Sequence, residues 1–180
     1  MTSTLPNENI KKTFSEQIRN KLISETIRDR IKLNKKRFHA NDNISEFINP
    51  MQINLTSVFQ ICSSIIPKMR KNGGLVINVS SHASYNAFPQ WGAYCISKSA
   101  LVMFTKCLRE EERSNSIRAC TITLGSVNTP LWDSESINAD FDRTSMLSSS
   151  EVSDTILYMA QKPESQLIED LTLMPSGGAF

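Results

Sequence analysis

No glycine occurs before Gly73, and the chain of 180 residues holds only 6. An average protein is about 7% glycine, and loops that cradle phosphates concentrate several within a few residues. Residues 1–72 therefore exclude a P-loop or a G-x-G-x-x-G turn near the N-terminus. Long apolar runs are lacking too. Nothing approaches the ~20 apolar residues of a membrane span, and the polar start, Met1-Thr2-Ser3-Thr4-Leu5, has no apolar signal core. The four cysteines, Cys62, Cys95, Cys107 and Cys120, form no C-x-x-C pair and have no histidine beside them. That pattern argues against a zinc site or a disulfide framework and fits reduced thiols in a cytoplasmic protein. The net charge of +2 is too small to mark a nucleic-acid binder.

The charge is unevenly placed. Residues 1–40 sum to +6 and the remainder to −4. Ile10, Phe14, Ile18 and Leu22 recur at i+4 in this basic segment, which predicts a helix over about 8–37. Each i+4 step overshoots a full turn by about 40°. The apolar stripe therefore winds around the helix, which reads as a solvated extension rather than a membrane-surface helix. Asn41-Asp42-Asn43 is turn-like and supplies helix caps.

From Ile44 the texture changes, and the chain divides into a basic helical extension, 1–43, and a domain, 44–180. Residues about 46–71 read as a helix with Pro50 in its first turn and Pro67 near its end, stopped by Asn72-Gly73-Gly74. Leu75-Val76-Ile77-Asn78-Val79 suits a buried parallel strand. A helix at about 93–114, a strand at 117–123, a helix at 151–160 and a strand at 167–173 follow. Strands alternating with helices predict an α/β domain with a parallel sheet.

The strand at 75–79 delivers Ser80-Ser81, and thirteen residues after Ser81 comes Tyr94-Cys95-Ile96-Ser97-Lys98. Ligands of open α/β sheets bind beyond the carboxyl ends of the strands, so Ser81 is well placed. Tyr94 and Lys98, four apart on a helix, share one face. A nearby ammonium favours a phenolate and is expected to lower the Tyr94 pKa, making it a general acid or base near neutral pH. Ser81 is placed to hydrogen-bond the oxygen on which charge develops. A second copy, Tyr158-Met159-Ala160-Gln161-Lys162 with Ser145 thirteen residues ahead, lacks a strand to deliver its serine and falls just before Pro163. It reads as coincidence. His82 adjoins Ser81, but nothing nearby in the sequence orients it as a base. Taken alone, Asn54 inside a helix reads as a partly exposed polar residue, and Trp91, Trp132 and Phe141 read as packing or lid residues.

Asn54-Leu55-Thr56-Ser57, Ile77-Asn78-Val79-Ser80-Ser81, Ala93-Tyr94-Cys95-Ile96-Ser97-Lys98 and Leu124-Gly125-Ser126-Val127-Asn128-Thr129 occur in that order. Together they resemble the short-chain dehydrogenase/reductase family over about 44–180. The resemblance implies hydride exchange between a nicotinamide cofactor, NADP or NAD, and a small carbonyl or alcohol substrate. It implies that Tyr94 moves the proton, that Lys98 holds the nicotinamide ribose and that Ser81 orients the substrate oxygen. Asn54 would hold a water in the proton relay, and Val127 and Thr129 would contact the nicotinamide carboxamide. Residues 130–148 resemble the substrate-covering loop. The helices at 46–71 and 93–114 resemble those that build the family's dimer interface, implying a homo- or hetero-oligomer.

Two departures stand against the family pattern. Leu124 replaces a usual proline, and residues 1–43 show no strand–glycine–helix unit for the pyrophosphate. The expected fold is thus a truncated Rossmann-like parallel sheet of about three strands, flanked by helices, with an extra N-terminal helix. An oxidoreductase is the leading reading. A non-catalytic remnant that associates with a full-length relative is the alternative, and a basic-helix module for membranes or nucleic acid is a weaker third.

Overall fold

The computed structural model of the protein describes residues 44–133 and 142–178. The helix predicted over 8–37 and Phe141 lie outside the described residues. Helix α1 (Ile44–Met51) runs through a π-helical turn, Gln52–Thr56, into α2 (Ser57–Met69). The single helix read at 46–71 is therefore two α-helical stretches joined by a wider turn. Gly73 ends this unit in a left-handed conformation at φ 69°, where a Cβ would lie 2.7 Å from the Ser116 carbonyl oxygen. Strand β1 (Gly74–Ser81), helix α3 (Gly92–Glu112), strand β2 (Ile117–Leu124), helix α4 (Ser149–Ala160) and strand β3 (Asp170–Leu173) follow.

The three strands form a parallel sheet in the order β1-β2-β3. Gly74 pairs with Ile117 and the register holds to Ser81 opposite Leu124. Thr121 through Leu124 pair with Asp170 through Leu173. The last strand is shorter than the 167–173 read from its apolar run. Arg118 Nη1 donates to the carbonyls of Lys162, Pro163 and Gln166 at 3.3, 3.0 and 2.8 Å, holding the connection as a loop through Gln166.

Central β2 is buried along its length apart from Arg118, as expected of a strand covered on both faces. Its two-residue side-chain period divides the core. Ile117 and Ala119 pack with Cys62 and Ile66 of α2 and Leu108 of α3. Cys120, Ile122 and Leu124 pack with Ile156 and Met159 of α4 on the other face. Fully buried Ile117 and Ile122 each contribute about 1.5–3 kcal/mol.

Polar bonds then fix α3 against the carboxyl half of β1. Asn78 Nδ2 donates to Thr105 Oγ1 at 2.8 Å, and Ser80 Oγ donates to the Lys98 carbonyl at 3.3 Å. These two bonds set the axial position of α3, and so of the residues in its first two turns.

Candidate active site

Ser81 is the last residue of β1, and its hydroxyl accepts from the Ala83 amide at 3.2 Å, capping a short 3-10 turn at His82–Ser84. The same hydroxyl lies near enough to the phenol of Tyr94, in the first turn of α3, to favour its charged form. One turn later Lys98 places Nζ 5.8 Å from the centre of the Tyr94 ring and donates to the Val79 carbonyl at 3.1 Å. Strand end, phenol and ammonium are thereby brought together, as the spacing predicts.

The Tyr94 phenol is pushed above the ordinary tyrosine value. Burial is the largest cause, the Ser81 hydroxyl pulls the other way, and Cys95 adds a further upward push. That direction reverses the lowering expected from the neighbouring ammonium. Desolvation penalises the phenolate, and it outweighs the groups that favour it. Tyr94 accordingly keeps its proton at neutral pH, the state suited to donating it.

Asn54 is buried at 7% exposure, in place of the partial exposure expected of a polar helix residue. It sits within the π-helical turn, a distortion often found at functional positions. Its Nδ2 donates to Ser97 Oγ at 3.0 Å, and Ser97 Oγ donates to the Tyr94 carbonyl at 2.8 Å. Asn54 is thus tied to the turn of α3 that carries Tyr94. Ser97 was legible only as an unnamed position within the Tyr-x-x-x-Lys spacing, three residues after Tyr94.

The loop after β2 carries Val127 and Thr129. The Asn128 amide donates to the Leu147 carbonyl at 2.8 Å, and the Leu147 amide donates to Ser126 at 3.1 Å. Trp132 Nε1 donates to the Val127 carbonyl at 2.7 Å. Arg143 gathers the loop. Its Nη2 reaches Asn128 Oδ1 at 2.6 Å and the Thr129 carbonyl at 3.1 Å, and its Nη1 bonds Asp133. No signal in the sequence singles out Arg143. Gly125, at the base of the loop, is needed for close approach, because a Cβ there would lie 2.6 Å from Pro175 Cδ.

An aromatic series borders the site. The Trp91 ring meets Tyr94 edge-on at 5.7 Å, Phe88 lies 6.0 Å from Trp91, and His82 lies 6.2 Å from Phe88. Residues 88–91 form a tight turn closed by the Trp91 amide donating to the Phe88 carbonyl at 3.1 Å. Pro89 and then Gln90 at φ 70° occupy its centre, the pattern of a type II turn with glutamine where glycine is favoured. His82 does have an orienting partner, contrary to the sequence reading, since Asn86 Nδ2 lies 2.9 Å from its Nε2.

The second Tyr-x-x-x-Lys copy is built differently. Tyr158 is 53% exposed, and Lys162 Nζ lies 3.7 Å over its ring. Ser145 turns back to donate to the Asp142 carbonyl at 2.8 Å.

A nicotinamide cofactor, implied by the resemblance, can be tested against these groups. The Lys98 ammonium beside the Tyr94 ring and the Thr129 hydroxyl after β2 offer hydrogen-bonding groups that a ribose and a carboxamide require. The donor set fits the nicotinamide-ribose end. Among the described residues no glycine-rich turn joins a strand to a helix for the pyrophosphate end.

Comparison with known proteins bears on the family and the fold. A family model described as short chain dehydrogenase matches residues 32–140. An uncharacterised oxidoreductase of Schizosaccharomyces pombe is 37% identical over 92 residues, covering 51% of this chain and 36% of that protein. An NADP-dependent 3-hydroxy acid dehydrogenase of the same yeast is 27% identical over 146 residues, 76% of this chain and 56% of that one. The chain thus spans about half, or less, of the curated relatives it matches. Carveol dehydrogenase from Mycobacterium avium, solved in complex with NAD, superposes with a TM-score of 0.70 at 16% identity, covering 78% of this chain and 59% of that one. At that identity the likeness concerns the fold.

Proposed function

The chain belongs to the short-chain dehydrogenase/reductase family, and from that premise we propose that it is an oxidoreductase acting on a carbonyl or alcohol with Tyr94 as general acid/base. The observation that carries the reading is the convergence of Ser81 and Lys98 on the Tyr94 phenol. When bound, reduced NADP or NAD would supply the hydride, and its oxidised form would accept it in the reverse direction. In the reducing direction the Tyr94 hydroxyl gives its proton to the substrate oxygen, and Ser81 hydrogen-bonds that oxygen as charge develops on it. Lys98 holds the ribose, and Val127 and Thr129 hold the carboxamide. Asn54 positions the relay behind Lys98 through its 3.0 Å bond to Ser97. Residues 44–180 are read as the catalytic domain and 1–43 as a basic extension to it. The four unpaired cysteines support a cytoplasmic setting, and no helix among the described residues is long and apolar enough to cross a membrane.

Fluorescence titration of the purified protein with NADPH and NADH tests this reading. Saturable binding that gives way to cofactor oxidation when a ketone is added supports it. No binding at millimolar cofactor overturns it.

A second reading rests on a separate observation. Phe59, Ile61 and Ile65 of α2 and Ile96 and Met103 of α3 are each 43–59% exposed, an apolar burden that marks contact surfaces when contiguous. It favours association through α2 and α3, with a second copy or with a full-length relative, whether or not the chain turns over. Sedimentation of the chain and of Ile61→Glu measures it. A monomer at tens of micromolar, with no capture of a full-length relative, overturns it.

A further inference from the structure

Resting on the reading above, we infer that Arg143 is a positioning residue for the cofactor, holding the backbone of 127–129 in the shape that receives the nicotinamide carboxamide. Leu147 pins this segment from one side. The Asn128 amide donates to the Leu147 carbonyl at 2.8 Å and the Leu147 amide to the Ser126 carbonyl at 3.1 Å, which makes one parallel bridge between Val127 and Leu147. Backbone groups of successive bridged residues face opposite sides, so Val127 turns its own amide and carbonyl away from Leu147. The Trp132 indole takes that carbonyl at 2.7 Å. The Trp132 amide and Arg143 Nη2 take the Thr129 carbonyl at 3.2 and 3.1 Å. Among the described residues no partner is taken by the Val127 amide, the Asn128 carbonyl, or the Thr129 amide and hydroxyl. A carboxamide needs that mixture, a donor for its oxygen and an acceptor for its NH2.

The guanidinium is almost fully engaged in holding this shape. It has five N–H donors in a fixed fork. Nε and Nη2 donate to Asn128 Oδ1 at 2.9 and 2.6 Å, Nη2 also reaches the Thr129 carbonyl, and Nη1 bonds Asp133. Asn128 returns a bond from Nδ2 to the Arg143 carbonyl at 3.4 Å. Asn128 is exposed and Arg143 is half-buried, so these bonds shape a surface loop and do not fill the core. Lysine, a point charge on a flexible stem, can keep the pairing with Asp133 but cannot span Asn128 and Thr129 together.

The test is calorimetric titration of the full chain with NADP, or NAD if that binds tighter, and with the 3-acetylpyridine analogue of the same cofactor. The analogue keeps the carbonyl oxygen and carries a methyl group in place of the NH2. One hydrogen bond contributes about two- to tenfold in affinity, so the unsubstituted chain is expected to favour the carboxamide by about that factor. Arg143→Ala is expected to bring the two cofactors within about twofold of each other, chiefly by weakening the carboxamide form. Asn128→Ala, which removes Oδ1 from the other end, is expected to do the same, and Arg143→Lys to leave the preference unrestored. No preference in the unsubstituted chain, or equal weakening of both cofactors, would overturn the inference.

Amide exchange by NMR supplies a readout that needs no cofactor. Arg143→Ala is expected to speed exchange at Asn128 and Leu147 by at least about threefold, and unchanged rates would overturn the inference. The oxidoreductase reading fails separately. A carboxamide preference that Arg143→Ala erases, without turnover of any ketone, overturns the enzyme reading and leaves the role of Arg143 standing. Ketone turnover with a cofactor preference that Arg143→Ala does not change overturns the role of Arg143 alone. No binding of either cofactor overturns both.

Discussion

Tyr94 and Tyr158 each stand four residues before a lysine in a helix, and they share little else. Tyr94 opens α3 directly against the end of β1, and Tyr158 lies near the exposed end of α4. Lys98 leans past its tyrosine to the Val79 carbonyl, while Lys162 lies 3.7 Å over the Tyr158 ring and uses its charge there. Ser81 arrives on a strand beside the phenol, whereas Ser145 folds back onto Asp142. Spacing within a helix thus sets only which side chains share a face. A strand end facing that helix turns a shared face into a site.

The most direct way to break this comparison is to remove each hydroxyl in turn. General acid–base catalysis contributes about 10²–10⁴-fold, so Tyr94→Phe is expected to lower kcat/KM for ketone reduction by that factor. Tyr158→Phe is expected to leave it within about twofold. Comparable losses from both would mean that the strand end at Ser81 confers nothing. Steady-state NADPH consumption measures both variants on the same day and the same substrate.

Asn54→Ala probes the support beneath the first copy. The substitution leaves Ser97 Oγ, at 0% exposure, without its 3.0 Å donor. Ser97 Oγ keeps its bond to the Tyr94 carbonyl, so the loss is that of one hydrogen bond, about 0.5–1.5 kcal/mol, which urea unfolding resolves. A loss under a few tenths of a kcal/mol would show that the π-helical turn holds Asn54 to no purpose.

Much of this organisation is legible in the sequence. The β-branched runs at 75–79 and 117–123 mark the strands, and Asn72-Gly73 marks the helix stop. The order of the four motifs singles out Asn54, Ser81, Tyr94 and Lys98. The π-helical turn at Gln52–Thr56 leaves no trace, because helix periodicity over five residues does not separate 3.6 from 4.4 residues per turn. Arg143 reaches Asn128, Thr129 and Asp133 across ten or more residues, a tertiary relation with no local signature. The direction of the Tyr94 shift was hidden for a related reason. The sequence shows the lysine that would lower the pKa, but burial, which raises it, depends on what packs around the ring.

That shift gives an alkaline test of the same contrast. The folded Tyr94 phenol lies above its unfolded value, near 10. The native state therefore binds the proton more tightly than the unfolded state does. Its contribution to stability is fully present below about pH 10 and is lost as pH rises through the folded value. Tyr94→Phe is expected to flatten the fall in stability above about pH 10, and to delete a tyrosinate absorbance step lying on the alkaline side of 10. A missing step at or below pH 10 would mean that the phenol is not desolvated as described.

The smallest effect belongs to the lysine of the second copy. Lys162 over Tyr158 is a cation–π pair on an exposed ring, and such pairs contribute about 0.5–1 kcal/mol at exposed sites. In a domain of this size 1 kcal/mol moves the thermal midpoint by roughly 2–4 °C, so Lys162→Ala is expected to lower Tm by about 1–4 °C with ketone reduction unchanged. The charge is solvated, so added salt should shrink even that difference. Lys98→Ala is expected to behave in the opposite sense, abolishing cofactor-dependent turnover whatever it does to Tm. If Lys162→Ala instead cost activity, α4 would have to communicate with the β1 end. The two copies would then be parts of one site rather than a site and its coincidental echo.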